Sequence, residues 1–160
     1  MGPITPTLWI NGEDMDAAAQ YYLDAFGGEV VHTLDYGPDA GEHAGTRMVV
    51  VLTLAGQQFC LLNGTDTHFT PNESVSFELS LDDQAEVNRI WDHLAKEGRP
   101  GPCGWIADRY GFSWQVVPRV LNDMLRDPDP ERVARVTACF MAVDGRAFDI
   151  GELQAAYDGR

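Results

Sequence analysis

Along the first ten residues, Thr5, Thr7 and Trp9 alternate with Ile4, Leu8 and Ile10. That period of two predicts a strand over Ile4–Ile10 with its two residue sets on opposite faces. Asn11-Gly12 breaks it, and the pattern then changes to a period near 3.6. Ala18, Tyr21, Tyr22, Ala25 and Phe26 mark one face of a helix over Met15–Phe26, stopped by Gly27-Gly28. Strands are expected at Glu29–Tyr36, Arg47–Leu54 and Gln58–Asn63, with a polar loop to about Gly45 and a tight turn at Ala55-Gly56. The series then restarts. Val75, Phe77, Leu79 and Leu81 alternate with Ser76, Glu78 and Ser80. A helix follows behind Asp82-Asp83, carries Val87, Ile90, Trp91 and Leu94 on one face, and ends at Gly98. A short extended piece and two strands, 105–108 and 112–117, turn about Asp108-Arg109-Tyr110-Gly111. The order is β-α-β-β-β twice, an internal structural duplication in which Trp9 and Tyr22 have the same 13-residue spacing as Glu78 and Trp91.

From Leu121 onward the chain reads as helical. Asp129-Pro130-Glu131 combines an acidic cap, a proline at the first helical position and a carboxylate beside the positive end of the dipole. Val133, Val136 and Phe140 give that helix an apolar stripe, and DIGELQAAY at 149–157 reads as a last short helix. The expected architecture is α+β: modules at 1–66 and 67–118 and a helical extension at 119–160, within one domain. The stripe on the tail must pack on its own sheet or on a partner subunit.

Composition narrows the function classes. With 25 acidic against 11 basic residues, the net charge of -14 disfavours nucleic acid and anionic membrane surfaces as partners. Cys60, Cys103 and Cys139 are far apart in mostly apolar surroundings, which predicts reduced thiols and a cytoplasmic setting. The opening MGPITPTLWING has no signal-peptide pattern, and no stretch has the length of a membrane-spanning helix.

The segments ITPTLWINGE, AAAQYYLDAFGG, AGQQFCLLNG, SVSFELSLDDQAEVNRIWDHL, CGWIADRYGFSWQVVP and DPDPERVARV resemble the PhnB-like family. That family, often named after 3-demethylubiquinone-9 3-methyltransferase, sits in the vicinal-oxygen-chelate superfamily of glyoxalases, extradiol dioxygenases and antibiotic-resistance proteins. The resemblance implies an eight-stranded sheet curved around a cavity, and a homodimer whose subunits contribute elements to one another. It also implies that Thr5, Thr7, Trp9, Ser76, Glu78, Ser80 and Gln115 face that cavity.

Metal-using members place one ligand on the first and one on the last strand of each module. Here those positions fall within Thr5–Thr7, Phe59–Leu61 and Ser74–Ser76 and at Gln115, a set without His, Asp or Glu. No resident metal or other cofactor is therefore expected. His32, His43, His68 and His93 show no paired ligand spacing. The glycine pairs are isolated stops and turns, so no methyl-donor motif supports the family name.

The leading expectation is a metal-independent small-molecule-binding protein, with Trp105 as a further pocket residue. Two other classes stay open. One is an enzyme: acid-base chemistry through Glu78, a thiol at Cys103 activated by Arg109 or His68, or a lyase or isomerase with an added metal. The other is a structural or regulatory dimer whose cavity is filled by its own side chains.

Overall fold

The computed structural model describes residues 2–10, 14–64 and 69–160, which form two units, 1–69 and 70–160. The first contains β1 (Thr7–Trp9), α1 (Met15–Phe26), β2 (Gly28–Asp35), β3 (Arg47–Leu54) and β4 (Gln57–Leu62), with a short 3-10 turn at Gly41–His43. Its sheet has the order β1-β4-β3-β2, in which β1 and β4 are parallel. β1 is shorter than the alternation predicts because Pro6 has no N–H to give. Pairing nevertheless continues past both ends, through Cys60 N to Pro6 O at 2.9 Å and Ile10 N to Leu62 O at 2.8 Å.

α1 begins where Asp14 accepts hydrogen bonds from the Asp16 and Ala17 amides, at 3.0 and 3.1 Å, and it ends at Gly27. At Gly28 the chain enters β2 so close to β3 that a Cβ would stand 1.7 Å from the Thr53 carbonyl oxygen. The core lies between α1 and the sheet, where Tyr22, Leu8, Ile10, Leu52 and Leu61 are buried.

The second unit repeats the order with β5 (Ser76–Leu81), α2 (Gln84–Ala95), β6 (Arg99–Pro100), β7 (Trp105–Ala107) and β8 (Ser113–Pro118), arranged β5-β8-β7-β6. Asp83 caps α2 through the Glu86 amide at 2.9 Å. Val87, Ile90, Trp91 and Leu94 on α2 are buried, as are Ile106, Trp114 and Val116 on the sheet. Each module thus has its own four-stranded sheet, and the mixed α+β class follows as expected.

Three helices complete the second unit: α3 (Arg119–Met124), α4 (Pro130–Met141) and α5 (Ile150–Asp158). They pack on their own sheet through one apolar cluster that joins Val117 to Leu121, Met124, Val136, Val143, Phe148 and Leu153. Phe148 sits on Gly104, where a Cβ would come within 2.3 Å of its ring. The Gln84 side chain donates to Phe148 O at 2.8 Å and accepts from Ile150 N at 2.7 Å, tying the start of α2 to the start of α5. Arg135 closes the far end of α5 by donating to the Ala156 and Tyr157 carbonyls at 2.9 and 3.0 Å. No helix among the described residues is long and apolar enough to cross a membrane.

Candidate functional site

The register of the second sheet decides which side chains meet. Cα partners opposite one another on paired strands share a face. One row across the sheet therefore carries Glu78, Gln115 and Trp105, and the next carries Ser76, Ser113, Ala107 and Arg99. Both rows lie opposite α2, whereas Phe77, Trp114 and Ile106 lie on the α2 side. Ser76 and Glu78 thus share the face that strand alternation assigns them, the register brings Gln115 and Trp105 to it, and Ser80, opposite Val117, continues it.

A cavity of about 340 Å3 opens on this face, with Glu73, Arg99, Pro102, Trp105, Ala107 and Ser113 among its lining residues. Trp105 is half-buried and forms a wall, while Ser113 is only 6% exposed. Next to the cavity the polar residues are bonded to each other. Gln115 Nε2 donates to Ser76 Oγ at 2.8 Å, and Asn122 Nδ2 donates to Glu78 Oε1 at 2.9 Å. Glu78 is exposed, and its carboxylate is held by Asn122 rather than enclosed among apolar side chains. Arg99, Glu73 and Ser113 were not singled out by the sequence. Arg99 sits in a two-residue edge strand, too short for alternation to assign it a face.

The hairpin that carries Trp105 is organised by Asp108. One carboxylate oxygen accepts the Tyr110 and Phe112 amides at 2.9 and 3.0 Å, and the other accepts Trp114 Nε1 at 2.9 Å. Gly111, at φ +88°, closes the turn. Asp108 is 4% exposed, and these bonds compensate the burial of its charge. The aromatic-rich CGWIADRYGFSWQVVP stretch therefore divides its work. Trp114 fills the core and Trp105 faces the cavity.

Cys103 precedes this hairpin at φ +54°, its Sγ 3.9 Å from Met141 Sδ. Arg109, a candidate for activating it, instead pairs with Glu97 at 3.3 Å and stacks over Tyr110. His68, the other candidate, lies outside the described residues. All three cysteines are free and half-buried. Burial first, and then the nearby Glu152 carboxylate, push the Cys139 thiol up, away from thiolate reactivity.

In the first unit, Thr7 and Trp9 pair with Cys60 and Leu62 on the face opposite α1, whereas Phe59 and Leu61 are buried. Thr5 Oγ1 donates to Gln58 Oε1 at 3.2 Å. Trp9 stands edge-on to Phe69 and is packed against Gly64, and its indole N–H has no partner among the described residues.

The residues at the superfamily's metal positions do not fit a divalent ion. They offer the Thr5 and Thr7 hydroxyls, the Cys60 thiol, and a Ser76–Gln115 pair already bonded to each other. Among the described residues no three His, Cys, Asp or Glu side chains are grouped to hold one. A methyl-donor cofactor fits no better at the β5–α2 turn, where the Asp82 and Asp83 carboxylates stand at the helix N-terminus that a phosphate or carboxylate would need. No methyl-transfer step is assigned to these residues.

No curated protein matches the chain. A PhnB protein from Bacillus cereus is similar to it, with 25% identity and a TM-score of 0.63 over 71% of this chain and 97% of that one. A Pseudomonas aeruginosa protein, PA1353, has 24% identity and a TM-score of 0.55 over 71% of this chain and 95% of that one. The fosfomycin resistance protein FosX from Listeria monocytogenes, solved with Mn(II) and sulfate, shares the fold at 14% identity and a TM-score of 0.51, over 71% of this chain and 88% of that one. The sequence profile of the 3-demethylubiquinone-9 3-methyltransferase family matches residues 3–117. DPDPERVARV lies beyond that stretch, so this match does not extend to the helical tail. Its two modules nonetheless place the chain in the 3-demethylubiquinone-9 3-methyltransferase family, with the fold of the glyoxalase-like superfamily.

Proposed function

We propose that this protein binds a small, partly apolar molecule on the face of its second sheet opposite α2, without a resident metal ion and without chemical turnover. The observation that carries this reading is the cavity walled by Trp105, with Arg99, Glu73 and Ser113 as sparse polar anchors. An apolar wall with a few polar groups is the usual composition of a ligand pocket. A purely structural role would leave room for no more than a few water molecules, and about 340 Å3 is larger than that. Acid-base catalysis is less well supported, because Glu78 is exposed and held by Asn122. Ser76, Glu78, Ser80 and Gln115 border the pocket in this reading, while Thr5, Thr7 and Trp9 offer a smaller subsite on the first sheet.

The reading includes a homodimer in the cytoplasm. The eight-residue edge strand β2, with Val30, Val31 and Leu34 exposed, supports self-association, and the free thiols suit a reducing compartment. Native mass spectrometry of protein purified without chelator, before and after addition of divalent metal, tests all of this together. A metal-free dimer carrying one extra small mass per chain is expected. One tightly held metal ion per chain would overturn the metal-independent reading.

A further inference from the structure

We infer that the cavity of the second unit takes a small zwitterion with an apolar or aromatic body, of the α-amino-acid type. Arg99 holds the carboxylate, Glu73 the ammonium group and Trp105 the body. This rests on the binding reading above and names the ligand class for that site.

The argument begins with charge. In a chain of net charge -14, most arginines meet a carboxylate or a carbonyl; Arg126 is unpaired among the described residues as Arg99 is, but it does not line the cavity. Arg47, Arg109, Arg119, Arg132, Arg146 and Arg160 all sit within 4 Å of a carboxylate, and Arg135 holds two carbonyl groups. Arg99 has no ion pair or side-chain hydrogen bond among the described residues, although it lines a cavity that a carboxylate also lines. Glu73 is likewise unpaired there, and the two do not reach each other. Such a pair sets a dipolar cradle.

Each candidate class meets that cradle differently. A plain anion is attracted by Arg99 and repelled by Glu73, and for a plain cation the signs reverse. A molecule carrying both charges satisfies both. The register places Arg99, Ala107 and Ser113 in one row on the same face, and all three line the cavity. Ser113 adds a hydroxyl with no hydrogen-bond partner among the described residues, and Ala107 leaves the space between them open. Trp105, in the adjacent row, offers a flat apolar wall. A volume of about 340 Å3 limits the ligand to the small end of the usual range.

The test compares L-phenylalanine, 3-phenylpropanoate and 2-phenylethylamine by titration calorimetry on the full chain at low salt. The last two keep the ring and each lack one charge. Phenylalanine is expected to bind about fivefold more tightly than either, the scale of one partly exposed ion pair. Arg99→Gln should reduce phenylalanine to the level of 2-phenylethylamine, and Glu73→Gln to that of 3-phenylpropanoate. Both positions are exposed, and an unchanged circular dichroism spectrum confirms that each variant folds. Trp105→Ala should weaken all three probes.

Equal affinities for the three probes, or a preference that survives both charge variants, would overturn the inference. If none binds while native mass spectrometry still finds a retained molecule that Trp105→Ala loses, the ligand class is wrong and the binding reading stands. If no preparation retains or binds any small molecule, both fall.

Discussion

The two units share one topology and differ on the faces turned away from their helices. In the first, that face holds Trp9 with Cys60 and Leu62, and the sheet ends in the long exposed edge β2. In the second, the face is polar through Ser76, Glu78, Gln115 and Arg99. Its edge β6 is two residues long and ends in a proline, and the tail helices anchor on Val117. The helix-side faces are alike, apolar and buried in both. The helix side therefore specifies the fold, and the opposite face is where the two units diverge chemically.

Breaking the tail's anchor should separate the units most sharply. Phe148→Ala empties a fully buried site and should cost about 3–5 kcal/mol in denaturant unfolding of the second unit. Hydrogen exchange should accelerate across α3–α5 and stay unchanged in β3 and β4. Equal acceleration in β3 and β4 would deny the tail its place in the second unit alone.

Next in size is Asp108→Ala, which leaves two amides and the Trp114 indole without their acceptor. About 2–3 kcal/mol should be lost, with a shift in tryptophan emission as the hairpin loosens. Gln84→Ala removes the two bonds that tie α2 to the start of α5, together with a third to Asn88 within α2. A loss of about 1–2 kcal/mol is expected, read as faster amide exchange at Ile150 with α4 unaffected.

The smallest effect is a pH dependence confined to the tail. The Tyr157 hydroxyl first, then the Asp129 amide, hold the Asp127 carboxyl below its ordinary value. A depressed folded-state value contributes stability that is present above the ordinary carboxylate range and lost as pH falls through and below it. Acid titration should therefore loosen α4 and α5, and Asp127→Asn should flatten that part of the profile. A profile identical in the variant would mean that the contact is not coupled to folding.

Most of the fold was legible because its signals are local. α1 runs over Met15–Phe26 as its periodicity predicts, and Asp83 and Asp129 cap the helices they precede. β1 came out shorter because alternation does not register that Pro6 lacks a donor. Alternation was also enough to place Ser76 and Glu78 on one face, and the β5–β8 register adds Gln115 to it. It could not find the cavity, because Arg99 and Ser113 come into one row only through the β6–β7–β8 register, and Glu73 reaches the lining from the turn before β5. The role of Asp108 was hidden for a related reason. A turn aspartate is common, and nothing local shows that its second oxygen reaches Trp114.

The central claim, ligand binding by the second unit without metal, is tested most directly by native mass spectrometry of Trp105→Ala beside Trp9→Ala. The account predicts an extra mass on the wild-type chain that survives chelator, persists in Trp9→Ala and disappears in Trp105→Ala. A mass that chelator removes, or one lost in Trp9→Ala and kept in Trp105→Ala, would contradict it.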